Sequence, residues 1–295
     1  MTVSPLSGPP LSGPPLSGVA ALVTGGAGGL GSACALALAR DGAAVLLVGR
    51  TEEALRRAVQ EVRDDVGGEA VAEYVVGDAT DPGVMRQAVA AAEALTGRLG
   101  ICVATVGGGT IAPLLCMDED QFAEDLRRNV VGAFTAIKQC VPAMASAGGG
   151  SIVCISSDAA TMTWPFMGSY CAGKAGLDAF VRVAADELGA LGIRVNAVRP
   201  GLTRTNSNNV SMLFTDPELV AAFIEQKPLG RTGTPEDIAA GVRYLAGPES
   251  AWVTGQSLAI EGGNELRRAP SLEKVARIRL GDEAVDAALA GRIPE

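Results

Sequence analysis

Tyr170 and Lys174 have the residue types and the spacing that acid-base chemistry can use. They occur in the segment Tyr170-Cys171-Ala172-Gly173-Lys174, at the start of a predicted long helix. Residues four positions apart lie on one face of a helix, so the ammonium group can stabilise the phenolate and lower a phenol pKa that is ordinarily about 10. The pair indicates a proton donor and acceptor, although a surface pair without function would have the same spacing.

The composition excludes several other kinds of chemistry. The chain of 295 residues has no histidine, which rules out Ser-His-Asp triads, histidine-assisted cysteine nucleophiles and histidine-ligated metals. A net charge of −9 argues against a nucleic acid partner, because such binding depends on Lys and Arg side chains that neutralise phosphates. The six cysteines form no Cys-x-x-Cys pair, which predicts free thiols, no metal site and a reducing, cytoplasmic location.

No segment of the sequence is predicted to target a membrane. Residues 99–117 and 139–157 carry no charge, but three consecutive glycines and a proline interrupt each of them. The amino terminus lacks the basic start and apolar centre of a signal peptide. It repeats Leu-Ser-Gly-Pro-Pro instead, so residues 1–17 are expected to form a disordered leader.

A glycine-rich segment, residues 24–31, follows the first predicted strand and precedes a helix. Glycines let the backbone approach a pyrophosphate closely, and the free N–H groups at a helix N-terminus can bind it. The position of the segment between a strand and a helix favours phosphate binding over the alternative, a purely structural turn.

Arg50 lies directly after the second predicted strand, where NAD-binding sites place an acid for the ribose 2′-hydroxyl. No acid is present in Gly49-Arg50-Thr51. Arg50 could pair with the 2′-phosphate of NADP, and the alternative is an ordinary solvated arginine. The sequence therefore favours NADP(H) and leaves NAD(H) possible.

The elements that must position these residues alternate along the chain. Short β-branched runs separated by helical patterns predict an α/β fold: a Rossmann-type, doubly wound parallel seven-stranded sheet in a single domain, residues 18–264. The predicted strands are residues 19–23, 44–48, 70–76, 101–106, 151–155, 194–198 and 257–260. Residues 202–229 are expected to form a lid, and residues 265–295 a helical extension with two short amphipathic helices. Helices predicted from about Asn129 and Ser169 are apolar on more than one side, which is typical of a subunit interface.

With these motifs in place, residues 19–264 resemble the short-chain dehydrogenase/reductase family, in particular its single-domain members with a Thr-Gly-x-x-x-Gly-x-Gly loop. The resemblance implies hydride transfer between a nicotinamide cofactor and a small carbonyl or secondary alcohol substrate, in a homotetramer. It also implies that the cofactor-binding residues are Thr24, Gly25, Gly29, Leu30, Gly31, Arg50, Thr51, Asp78, Ala79, Gly107, Tyr170, Lys174, Pro200, Gly201, Thr203 and Thr205.

The resemblance also implies the catalytic residues. Tyr170 would exchange the proton, and Ser157, thirteen positions earlier, would hold the substrate carbonyl, with Ser156 as the alternative. Lys174 would hold the nicotinamide ribose, and Asn129 would support a proton relay through water.

One segment departs from the family pattern. Where the family usually has Asn-Asn-Ala-Gly, this chain has Ala104-Thr105-Val106-Gly107, followed by two more glycines. The asparagine side chains would normally brace the sheet beside the cofactor ribose, so their loss is expected to affect cofactor affinity.

Two other functions remain open from the sequence. A 3-oxoacyl-thioester reductase would need a basic entrance patch for an acyl carrier, for which Arg127, Arg128 and Arg204 are candidates, unless they are ordinary solvated charges. A catalytically silent dinucleotide sensor is the alternative of another class. The complete set of Asn129, Ser157, Tyr170 and Lys174 argues against a sensor, because a binding protein has no use for all four.

Overall fold

The computed structural model describes residues 14–67, 70–205, 211, 213–267, 281–290 and 292. Its sheet has seven parallel strands in the order β3-β2-β1-β4-β5-β6-β7. The strands are β1 (Ala20–Thr24), β2 (Ala44–Gly49), β3 (Ala72–Val76), β4 (Leu99–Ala104), β5 (Gly150–Ile155), β6 (Ile193–Pro200) and β7 (Ser257–Ile260). The predicted fold class is therefore confirmed.

The strand bounds differ from the prediction mainly at β4. This strand begins and ends two residues earlier than predicted, because Thr105 leaves the sheet after Ala104. The Thr105 N–H donates to Thr24 Oγ1 at 3.0 Å, and the Thr105 hydroxyl donates to the Thr24 carbonyl.

Helices cover both faces of the sheet, so the central strands are buried on both sides. Helices α1, α2 and α8 pack on one face, and α3, α5 and α6 pack on the other. The helices are α1 (Gly29–Arg40), α2 (Glu52–Val66), α3 (Pro82–Thr96), α4 (Glu119–Leu126), α5 (Gly132–Ser146), α6 (Gly168–Leu188), α7 (Pro217–Glu225), α8 (Pro235–Ala246) and α9 (Asp282–Leu289).

The helix predicted to start near Asn129 has a different shape. Residues Arg127–Val131 form a π-helical turn that joins α4 to α5 without a break. Such wide turns occur often at functional sites, and here the turn carries Asn129, which is completely buried.

Packed structure begins earlier in the chain than the predicted boundary at residue 18. Residues 14–17 form a turn in which Leu16 is buried, and the Leu16 N–H donates to the Asp41 carbonyl at 2.9 Å. The rest of the predicted leader lies outside the described residues.

Two other predicted segments are described only in part. Residues 206–210 and 212 of the predicted lid lie outside the described residues, as does the first predicted helix of the extension, while α9 corresponds to the second. Within the described ranges, no helix combines the length and the hydropathy needed to cross a membrane.

Candidate active site

The cleft that holds the predicted site lies where the order of the strands reverses. Successive strands run outward from β1 toward β3 on one side and from β4 toward β7 on the other, and such a switch point leaves a crevice at the carboxyl ends of the strands. The cavity there measures about 940 Å³. The predicted residues that line it are Gly25, Gly29, Leu30, Gly31, Arg50, Thr51, Asp78, Ala79, Gly107, Ser157, Tyr170, Lys174, Pro200, Gly201, Thr203 and Thr205.

Two predicted residues, Thr24 and Asn129, are buried behind the cleft wall. Thr24 accepts the Thr105 N–H, as described above, so it fixes the end of β4 against β1. The Asn129 amide donates to the carbonyls of Gly108 at 2.6 Å and Asp125 at 2.7 Å, and its oxygen accepts the Gly108 N–H at 3.2 Å. Asn129 therefore holds the turn after β4 in place.

The glycine loop has a backbone that other residues would not tolerate. Gly25 has a φ of +61°, a region that L side chains rarely adopt. A Cβ on Gly31 would collide with the Gly25 carbonyl oxygen, so α1 packs directly on the loop. Gly28 is the N-cap of α1 and supplies no side-chain cap, which leaves the N–H groups of the first turn to other acceptors. This loop fits a dinucleotide pyrophosphate.

The far end of the cleft combines an acid with nearby arginines. Asp78 accepts the N–H and hydroxyl of Thr80 at 2.8 and 2.9 Å. The backbone hydrogen bond from Thr80 holds the pKa of Asp78 below its usual value, with smaller contributions from the charges of Arg50 and Arg127. Arg50 is exposed and forms no ion pair within the part of the chain that the structure describes.

The other end of the cleft brings together Ser157, Tyr170 and Lys174. The Ser157 hydroxyl lies beside Tyr170 and acts to lower the pKa of the phenol, whereas the Ser156 hydroxyl is buried without a partner among the described residues. This geometry favours Ser157 over Ser156. Lys174 is 2% exposed, and its Nζ donates to the Ile155 carbonyl at 2.7 Å.

The expectation that Lys174 lowers the pKa of Tyr170 is wrong for this structure. Burial raises the pKa of Tyr170 to about 12, against a smaller lowering effect of the neighbouring Ser157 hydroxyl. Burial also lowers the pKa of Lys174 to about 8. The Lys174 ammonium donates to the end of β5 and lies 5.7 Å from the centre of the Tyr170 ring, beside its face. At neutral pH, Tyr170 is therefore a protonated donor.

Two of the three glycines after β4 are explained by close packing against these side chains. A Cβ on Gly107 would lie 2.7 Å from Lys174 Nζ, and one on Gly109 would lie 2.5 Å from Tyr170 Cβ. Thr105 bonds to Thr24 next to them, so it braces β1 and β4 at the place where the missing asparagines were expected to act. The departure from the family pattern thus leaves the sheet braced beside the cleft.

The sequence reasoning missed several residues of the cleft. Asp158 is 4% exposed and lines the cleft next to Ser157. Trp164 and Phe223 stack with their ring centres 5.2 Å apart, and both line the cleft with Ile111, Met167 and Leu213. Leu213 and Phe223 lie in the predicted lid, residues 202–229, whose apolar residues indicated a contact with the cleft. An aspartate after two serines, in contrast, is typical of an ordinary turn.

Known proteins resemble this chain over most of its length. A family model described as Enoyl-(Acyl carrier protein) reductase matches residues 25–265. Galactitol 2-dehydrogenase (L-tagatose-forming) of Cereibacter sphaeroides is 36% identical over 245 residues, which cover 82% of this chain and 93% of that protein. The 3-oxoacyl-acyl-carrier-protein reductase of Chlamydia muridarum is 31% identical over 244 residues, 83% of this chain and 96% of that protein.

A solved structure extends the similarity to the whole fold. A short-chain type dehydrogenase/reductase from Mycobacterium ulcerans has a TM-score of 0.82 and 35% identity, with coverage of 92% of this chain and 98% of that chain. Members of this family act on alcohol and carbonyl groups with NAD(P), and the matched region includes the glycine loop, Ser157, Tyr170 and Lys174. The chain belongs to the short-chain dehydrogenase/reductase family of oxidoreductases.

Proposed function

We propose that this chain is an NADP(H)-preferring oxidoreductase that transfers a hydride between nicotinamide and the carbon of a ketone or secondary alcohol, with Tyr170 as acid and base. The observation that carries the proposal is the Ser157 hydroxyl beside the Tyr170 phenol, in the same cleft as Lys174 and the glycine loop. Two hydroxyl groups held side by side can both donate to one substrate oxygen.

In ketone reduction the residues of the chain have separate roles. A bound nicotinamide supplies the hydride. Tyr170 is protonated at neutral pH and donates its proton to the oxygen of the substrate, while Ser157 donates a hydrogen bond that stabilises the developing charge. Lys174 uses one donor on Ile155 and has others to hold the ribose hydroxyls. Asn129 keeps the glycine turn against Lys174, and its part in a proton relay stays a prediction.

Arg50 carries the proposed preference for NADP(H). Its exposed guanidinium lines the cleft, so a 2′-phosphate can bind it with charge-assisted hydrogen bonds. Arg50→Ala should raise the dissociation constant of NADPH by about 10- to 100-fold, since such a bond contributes about 1.5 to 3 kcal/mol. Fluorescence titration should find NADH binding unchanged. Arg127→Ala is the matched control, because Arg127 also lies near Asp78 but is absent from the cleft lining. Equal losses for both cofactors would contradict the preference.

A 3-oxoacyl-thioester reductase is the second candidate, and one observation favours it. Arg128 lines the cleft, where it pairs with Glu124 at 3.7 Å, and Arg127 is exposed beside it, so Arg127 offers a positive charge to an acidic acyl carrier. The relative from Chlamydia muridarum is named for that reaction. No sign of a catalytically silent sensor appears among the relatives.

We also propose a homotetramer in the cytoplasm. Phe134 on α5 and Val183 on α6 are 44% and 54% exposed, and an apolar helix face of this kind suits a subunit interface. All six cysteines are free thiols, which suits a reducing compartment. A monomer in analytical ultracentrifugation at micromolar concentration would contradict the assembly.

Turnover with a defined set of ketones tests the proposed reaction. The set contains an aliphatic ketone, a cyclic ketone, the aromatic diketone benzil and acetoacetyl-coenzyme A, each offered with NADPH and NADH. The proposal expects oxidation of NADPH with deuterium transfer from labelled cofactor to the carbonyl carbon, measured by mass spectrometry. Turnover of acetoacetyl-coenzyme A alone would favour the thioester reductase, and transfer to no ketone would contradict the function.

A further inference from the structure

Asp158 is a buried carboxyl group directly beside the proposed catalytic hydroxyls. It follows Ser157 in a short 3₁₀ turn at the end of β5 and is 4% exposed. Asp158 Oδ1 accepts the Ser157 hydroxyl at 3.1 Å, and Asp158 Oδ2 accepts the Asn264 amide at 2.9 Å. A buried carboxylate costs free energy unless its partners compensate, and nothing in the proposed chemistry so far uses this one.

The one proton of the Ser157 hydroxyl is already donated in this arrangement. A serine hydroxyl has one proton to donate and two lone pairs to accept with. Ser157 Oγ donates to Asp158 Oδ1 at 3.1 Å and accepts the Ala159 N–H at 3.1 Å. While Asp158 is ionised, Ser157 therefore has no proton left for the substrate oxygen.

We propose that Asp158 is a positioning residue that decides where Ser157 donates. The ionised carboxylate draws the Ser157 proton away from the substrate. The protonated carboxyl group, anchored at Oδ2 by Asn264, donates from Oδ1 to Ser157 and so leaves the Ser157 proton free for the substrate oxygen. Tyr170 then keeps its own proton for the same oxygen. This inference rests on the proposed function, and it predicts that ketone reduction depends on the protonation of Asp158.

The charged and titratable groups around Asp158 come from three other parts of the fold. Lys227, after α7, and Glu261, after β7, both act on its charge, and Tyr170 lies on α6. Burial raises the pKa of Asp158 above its usual value, while the Asn264 and Ser157 hydrogen bonds and Lys227 oppose this and Glu261 adds to it. The pKa of Asp158 therefore lies above the usual value of an aspartate.

The test compares pH profiles of kcat for ketone reduction. Wild type should lose about 10²-fold from its low-pH to its high-pH plateau, the usual cost of one lost donor to a developing oxyanion. Asp158→Asn should keep the low-pH value throughout, since the carboxamide can donate to Ser157 and accept from Asn264. Asn264→Ala should move the wild-type limb to higher pH, because one bond to the ionised carboxylate is lost.

Controls separate this inference from the proposed function. Thr161→Val removes a hydroxyl that donates to Glu265 at 2.6 Å and to the Asp158 main-chain carbonyl at 3.1 Å. It leaves the partners of the Asp158 carboxyl group in place, so its profile should match wild type. Tyr170→Phe is measured in parallel, and turnover retained by this variant would contradict the proposed function. If Tyr170→Phe is inactive while Asp158→Asn keeps the wild-type limb, the present inference alone is wrong.

A second readout does not depend on turnover. The pKa of Asp158 is higher in the folded than in the unfolded state, so the protonated carboxyl group favours folding. This contribution to the free energy of unfolding is complete below the unfolded pKa and disappears as the pH rises through the folded pKa. Urea unfolding should show wild type losing stability relative to Asp158→Asn over that range. Parallel curves would overturn the inference whatever the kinetics show.

Discussion

Gly109→Ala tests the close packing that fixes Tyr170. The added Cβ would lie 2.5 Å from Tyr170 Cβ and 3.0 Å from two atoms of its ring. Carbon atoms pack at about 3.5 to 4.0 Å, so the turn and α6 must separate by about 1 Å. No rotamer of Tyr170 relieves the contact, because Cβ is fixed to the backbone of α6. Overpacking of this kind costs about 1 to 3 kcal/mol of folding free energy, and a 1 Å misplacement can cost about 10²-fold in rate.

The assay measures unfolding, kcat and NADPH affinity on the same preparation. The free energy of unfolding and kcat should both fall, while NADPH still binds because the glycine loop is unchanged. Gly168→Ala is the matched control, since Gly168 lies on α6 two residues before Tyr170 and its Cβ would meet nothing within 4 Å. It should be neutral or slightly stabilising. A Gly109→Ala enzyme with wild-type kcat would refute the reasoning that this contact positions Tyr170.

Two further predictions concern Lys174 and the carboxyl-terminal extension. Burial lowers the pKa of Lys174 from 10.5 to about 8. Between those two pH values the unfolded state binds more protons than the folded state, so the free energy of unfolding of wild type should increase with pH relative to Lys174→Met. Denaturant titrations at several pH values measure this difference, and a difference that stays constant would contradict the prediction. Arg267 donates to the Glu225 carbonyl at the end of α7 at 2.9 Å, and α7 carries Phe223 of the cleft lining. Deletion of residues 266–295 should therefore raise the substrate KM at unchanged NADPH affinity. Arg267→Ala should reproduce the effect. A lower Tm with unchanged KM would mean that the extension only stabilises the fold.

The sequence was sufficient to predict the sheet because the central strands are buried on both faces. In β1 and β2 this burial selects unbroken apolar runs, and glycines mark their ends. The start of β4 was harder to recognise, since Leu99 and Gly100 precede its β-branched core. Its end depends on the bond between Thr105 and Thr24, which are 81 positions apart.

The site was predicted where chemistry and spacing coincide in one segment. Tyr170 and Lys174 lie on one helix, so their spacing could be read directly. The role proposed for Asp158 could not be predicted in this way, because it depends on Asn264, which is 106 positions away in the sequence. The pKa of Tyr170 also could not be read from spacing, since it depends on burial and on the direction in which Lys174 donates.

The most direct test of the proposed chemistry is the rate of hydride transfer by Tyr170→Phe. This variant keeps the ring and removes the proton, so kcat for ketone reduction should fall by at least about 10²-fold at an unchanged dissociation constant for NADPH. Tyr244→Phe, at a tyrosine that is 40% exposed and outside the cleft lining, should keep wild-type values. A Tyr170→Phe enzyme that transfers hydride at the wild-type rate would contradict the assignment of Tyr170 as the acid and base.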